Sequence, residues 1–204
     1  MRLMNINRML LLQKLNISML RLARTKRTDP NLLELMKIHY SHPKGFVGRN
    51  LCYAIYWNEE YYGHIVGGSA TRFLPGRNEF LGIEIKDLNR VINNIFYHVF
   101  PVNNKYPTRN FTTFVLKNWM QIIENDWKHK YGDDVIGFES LVELPRTGEL
   151  YRRAGFTEVG TTIGYQCKRV AGTGTDSWSG KRVWNTIELK PKLVLCKKYN
   201  EVQS

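Results

Sequence analysis

Residues Tyr106 to Thr113 (YPTRNFTT) bring Arg109, Asn110, Thr112 and Thr113 together immediately before a long amphipathic stretch. The start of a helix offers free N–H groups and partial positive charge, so a phosphate placed there is held by backbone donors. Arg109 adds a two-pronged grip, and the amide and hydroxyls add further donors. The competing reading is a plain helix cap by Thr108 or Asn110. A second run, Phe138-Glu139-Ser140, puts a carboxylate in a β-rich segment. A carboxylate projecting from mid-sheet is costly unless paired. Glu139 is therefore a candidate base or anchor for a substrate amine, with Ser140 beside it, and an ion pair with Arg146 or Arg152 is the alternative.

Two loops carry side chains suited to contacting nucleic acid. The first (HYSHPKGFVGR) holds His39, Tyr40, His42 and Arg49. His39 and His42 are two nitrogen ligands where a firm metal site needs three or four, so substrate contact is expected of them and no metal. The second, 172–191, is long and polar, and sets Lys181 and Arg182 between Trp178 and Trp184. Alternating charge with flat aromatic surface serves to hold unpaired bases and phosphates, and the same tryptophans could instead fold the loop onto the body.

The charge distribution supports a polyanionic partner. The 204 residues include 30 Lys and Arg against 18 Asp and Glu, a net charge of +12. The excess sits at the two ends: residues 1–30 hold seven basic residues against Asp29, and residues 165–204 hold eight against three acidic ones. The middle of the chain is nearly neutral, so the ends form the footprint expected for a polyanionic partner, with a solvated, solubilising surface as the alternative. A hydrophobic content of 43% excludes disorder as the main state. Cys52, Cys167 and Cys196 are widely spaced and odd in number, which predicts neither a disulfide framework nor a cysteine-built zinc site and fits the reducing cytoplasm. Gln13 and Lys14 interrupt the most apolar N-terminal stretch, so no membrane span is expected.

These residues need elements to place them. Thr28-Asp29-Pro30 signals a capped helix start, predicting a helix over 30–40. Leu51 to Trp57 and Tyr61 to Ser69 flank a polar turn and read as a hairpin. Strands are expected at Asn16 to Arg24, Leu81 to Ile85 and Ile92 to Phe100. Phe111, Val115, Trp119, Ile122 and Ile123 recur at helical spacing within a helix from Thr108 to Tyr131. A strand from Val135 to Leu144, a short helix from Arg146 to Ala154 closed by Gly155, and strands at Val159 to Lys168 and Lys192 to Lys198 complete the series. The expected class is α/β or α+β, a single mixed β-sheet flanked by helices. A basic N-terminal segment (1–27) precedes one domain (28–204) carrying the basic loop 172–191.

The segment Glu149 to Phe156 (ELYRRAGF) resembles the fourth helix and following strand of the GCN5-related acetyltransferase (GNAT) fold, and the order of elements resembles that fold as well. The family's glycine-rich R/Q-x-x-G-x-G/A loop is absent, and Pro107 to Asn110 stands in its place. The resemblance implies a transferase using acyl-CoA or another activated acyl donor, with Tyr151 as general acid for the departing thiolate; a phenol suits that role, and packing under the sheet is the alternative. His39 to Pro43, Gly45 to Arg49, Gly68 to Ala70, Asn93-Asn94 and Leu150 to Gly160 together resemble, over about 30–170, the phage Mom-type DNA adenine-modification (methylcarbamoylation) branch of this fold. That implies DNA as partner and transfer of a small acyl-derived group to the exocyclic amine of adenine in a bacterial cell. Such an amine has a delocalised lone pair, so an activated donor and exact positioning must carry the reaction. Two rivals remain: an N-acetyltransferase acting on a small amine or a protein, and a non-enzymatic nucleic-acid-binding module.

Overall fold

The computed structural model describes residues 19–70, 74–162, 165–169, 184–188 and 190–199. Strand β1 (Leu20–Thr25) leads into helix α1 (Pro30–Ile38), then β2 (Asn50–Trp57) and β3 (Glu60–Ser69) form the expected hairpin. Helix α2 (Pro75–Leu81) and a 3₁₀ turn (Ile85–Arg90) precede β4 (Val91–Val99). The long helix α3 (Phe111–Tyr131), β5 (Gly137–Glu143), the short α4 (Glu149–Arg153), β6 (Thr157–Thr161), β7 (Tyr165–Arg169), β8 (Trp184–Glu188) and β9 (Lys192–Lys198) follow. Seven strands make one mixed sheet in the order β1-β2-β3-β4-β5-β9-β6, and β7 pairs with β8 separately.

Several expected boundaries move. β1 pairs with β2 along its whole length, so the sheet begins inside the N-terminal segment drawn as separate. The strand expected at Leu81 to Ile85 is the end of α2 followed by a turn; Pro75 opens that helix and Gly82 closes it at φ +67°. The strand expected over Val159 to Lys168 is two strands in two sheets. No described helix is long and apolar enough to cross a membrane.

The sheet alternates its side chains between two layers. Leu51, Tyr53 and Ile55 of β2, with Ile65, Ile92 and Phe138, meet Phe111, Val115, Leu116, Trp119, Met120, Ile123 and Trp127 of α3. Ile122, expected on that buried face, is 39% exposed. Gly67 lets α3 settle on the sheet, because a Cβ there would lie 2.3 Å from Ile123 Cδ1. On the opposite face Cys52, Val66 and Phe96 pack with Leu32, Leu35 and Met36 of α1. Asp29 caps that helix, accepting from the Asn31 and Leu32 amides at 3.0 and 3.2 Å.

β4 changes face part-way along. Gly67 pairs with Asn94 and Val66 with Phe96, so Ile95 is an extra residue in β4, a β-bulge. Before it Ile92 faces α3; after it Phe96 faces α1, four residues on, and Tyr97 and Val99 take over the α3 side. Without the extra residue, period-2 alternation would put Ile92 and Phe96 on one face.

Candidate active site

The bulge coincides with the end of pairing between β4 and β5. These parallel strands are joined only at Val91–Asn93 with Gly137–Glu139, and beyond that point they part. The opening is a cavity of about 560 Å³ walled by Asn94, Ile95, Phe96 and Tyr97 on one side and Ser140, Leu141 and Val142 on the other. Residues from the end of α1 and from the turn into α4 close it.

Asn94 occupies the bulge and is buried. Its Nδ2 donates to the carbonyls of Val66 (3.2 Å) and Phe96 (3.1 Å), replacing ladder bonds that the extra residue displaces. Its Oδ1 accepts from the Tyr151 hydroxyl at 2.6 Å. Burial raises the Tyr151 pKa, and a hydrogen bond from Ser140 opposes that rise in part. The phenol therefore keeps its proton at neutral pH and is aimed by two polar neighbours. Of the residues expected to do chemistry, the structure brings Tyr151 and Ser140 together here, and Asn94 joins them.

Glu139 is not with them, which corrects its reading as a base facing substrate. Alternation along β5 turns Phe138, Ser140 and Val142 toward α3 and α4, and Glu139 the other way. Its carboxylate, 1% exposed, meets the fully buried guanidinium of Arg77 on α2 at 2.6 Å. The partner is neither Arg146 nor Arg152: Arg152 pairs with Glu158. Burial pushes the Glu139 pKa up and Arg77 pulls it down.

The outer wall of the cleft is aromatic. His39 packs at a tilt against Tyr40 and Phe96, with ring centroids at 4.3 and 4.7 Å. Its Nδ1 lies 2.8 Å from Ser41 Oγ, and the Ser41 amide also points at it. Burial, with His98 nearby, lowers the His39 pKa to about 4, so the ring is neutral. The Arg146 guanidinium carbon lies over the Tyr40 ring, 3.6 Å from its centre. His42 and Arg49 are elsewhere: His42 is exposed with Nδ1 3.0 Å from the Lys37 carbonyl oxygen, and Arg49 pairs with Asp133. Trp178, Lys181 and Arg182 lie outside the described residues, and Trp184 is described only as the first backbone position of β8. Among the described residues no group of three or more metal-ligating side chains occurs.

A second cavity, of about 660 Å³, lies at the head of α3. Thr108, Arg109, Asn110, Thr113, Lys117 and Trp57 line it together with Arg153 from α4. Asn110 adopts a left-handed conformation (φ +62°) and its side chain caps nothing, which leaves first-turn amides to an incoming ligand. Arg153 is paired with Glu149, and Arg109 and Lys117 beside uncapped amides make a donor set that fits a phosphate. Thr112 is outside the lining, and its carbonyl accepts from the Tyr97 hydroxyl at 2.6 Å.

Neither a protein-family model nor a curated protein sequence matches the chain. Solved structures do. An aminoglycoside acetyltransferase in complex with coenzyme A and kanamycin superposes with a TM-score of 0.53 at 13% identity, over 90% of this chain and 97% of that one. Spermidine N-acetyltransferase from Vibrio cholerae, in complex with CoA and spermine, gives 0.52 at 10% identity over 92% and 99%. A Bacillus subtilis acetyltransferase in complex with CoA gives 0.51 at 12% identity over 88% and 98%. With its single mixed sheet, parted strands and flanking helices, the chain has the fold of the GNAT acetyltransferases.

Proposed function

We propose that the protein is an acyltransferase that moves an acyl group from an acyl-CoA to an amine, on a small molecule or a protein. The observation that carries this reading is the Tyr151 phenol, held between Asn94 and Ser140 where β4 and β5 part. The donor supplies a thioester-activated acyl group. Arg109, Lys117 and the first-turn amides of α3 hold its phosphates, and α4 lines both cavities through Tyr151 and Arg153. The amine arrives neutral, its nitrogen bonds to the acyl carbon, the carbon–sulfur bond breaks and the amine proton leaves to solvent. Tyr151 delivers a proton to the departing sulfur and regains one from water. Calorimetry with acetyl-CoA, followed by thiol release on adding amines, tests the reading; absence of donor binding defeats it.

A second acceptor reading, the exocyclic amine of adenine in DNA, is favoured by one observation. A groove of about 450 Å³ between the β1–α1 connection and the end of α3 is lined by Arg24, Lys26, Arg27 and Lys130, cations suited to a phosphodiester backbone. Mass spectrometry of nucleosides from DNA incubated with protein and donor checks it: a new adenine-derived mass is expected, and unaltered DNA removes DNA as acceptor.

A further inference from the structure

The charges lining the cleft say what kind of amine it takes. Its lining includes three charged side chains, Arg146, Glu149 and Lys192. Glu149 is engaged by Arg153, with Oε1 2.9 Å from Nε. Glu143, the carboxylate acting on Tyr40, is paired with Lys190 at 3.5 Å. Arg146 and Lys192 have no carboxylate partner among the described residues. A guanidinium laid on an aromatic face keeps its edge N–H groups free, and that planar fork matches the two oxygens of a carboxylate or phosphate.

We propose that the acceptor carries an oxyanion, carboxylate or phosphate, close to its amine, and that Arg146, braced on Tyr40 and assisted by Lys192, grips it. The inference rests on the reading of this cleft as the acyl-transfer site. A polycation would meet two uncompensated positive charges and no free carboxylate, so spermine, which the Vibrio cholerae enzyme holds in its complex, is a poor fit. Arg146 is exposed at the rim and Tyr40 is 39% exposed, so neither requires a rearranged core to reach a ligand. His39 behind them is neutral, so Arg146 and Lys192 supply the positive charge of this wall.

Matched probes separate the charge from the rest of the ligand: phenylalanine against phenylalaninamide, phosphoethanolamine against ethanolamine, and spermine. Binding to the full chain is read by ligand-detected NMR and calorimetry, and turnover by thiol release with acetyl-CoA. The anionic member of a pair is expected to bind at least about tenfold more tightly than its neutral partner, and the tighter of the two anionic probes identifies the oxyanion. Arg146→Gln should erase that preference while leaving acetyl-CoA affinity and melting temperature unchanged. Arg146→Lys should restore only part of it, and Tyr40→Leu, which removes the platform, should weaken it with Arg146 intact. Equal binding of charged and neutral partners, tighter binding of spermine, no binding by any anionic probe, or a preference that survives Arg146→Gln overturns the inference. Acetyl transfer without anion preference leaves the acyltransferase reading standing and removes this one. Anion preference without donor binding does the reverse.

Discussion

The two cavities are made in opposite ways. The cleft between β4 and β5 exists because a ladder of backbone hydrogen bonds stops, and its key polar atoms are buried and paired at 2.6–3.2 Å. The cavity at the head of α3 is rimmed by flexible cations around a helix end that no side chain caps. The first is suited to holding one atom in one place; the second is suited to attracting charge from a distance. Damage in the first should appear in turnover, and damage in the second in donor affinity and its dependence on salt.

The largest effect expected is at Tyr151. Tyr151→Phe keeps the ring and removes the proton, so kcat should fall about 10²–10⁴-fold. Loss of the hydroxyl bond to Asn94 should cost only about 1–2 kcal/mol of stability. A variant that turns over within a factor of about three of the parent is too mild for a general acid and would make the phenol structural.

Next in size, Glu139→Gln or Arg77→Met should destabilise the fold by about 3–5 kcal/mol, since each removes one charge of a buried ion pair. The folded fraction of Glu139→Gln should keep its turnover. Denaturant melts paired with activity per folded molecule separate the two roles, and a stable but inactive variant would return Glu139 to the chemistry.

At the head of α3, Arg109→Ala should weaken donor binding by about 1.5–3 kcal/mol, the scale of a charged hydrogen bond. The deficit should narrow as salt screens the parent's advantage. A donor affinity indifferent to both the substitution and salt would separate this cavity from the donor.

The effect least tied to the chemistry lies away from both cavities' reacting atoms. Burial lowers the pKa values of His39 and His64 to about 4 from the usual 6.5. The unfolded chain then binds protons that the folded one refuses. Stability is fully present above about pH 6.5, falls as pH drops toward 4, and levels off below that. The loss is roughly 3 kcal/mol for each ring. Imidazole NMR shifts that titrate near the usual value would contradict it.

What the sequence reveals divides along the same line as the cavities. The hairpin of β2 and β3 and the long buried stripe of α3 are local patterns, and each is legible where it stands; that Thr108 to Asn110 leave the helix end uncapped is not. Tyr151 is legible through its resemblance to a family motif. The face change in β4 is not, because a bulge at Ile95 follows from pairing with β3 and from no residue type of its own. The Arg77–Glu139 pair joins positions 62 apart, beyond the reach of spacing rules. α2 did carry its signals, Pro75 at the start and Gly82 at the end; the apolar run from Leu81 to Ile85 reads as a strand because Leu81 and Ile83 are buried, although by helix-end and loop packing.

Asn94 makes one side chain answerable to two grammars, that of the sheet and that of the Tyr151 hydroxyl. Aspartate would keep an acceptor for Tyr151 but surrender both donors to Val66 and Phe96 and bury a charge. Leucine would forfeit all three bonds, and glutamine would carry its amide one methylene too far. The position thus has an alphabet of one letter, and the shape of the opening cannot drift independently of the proton it guards.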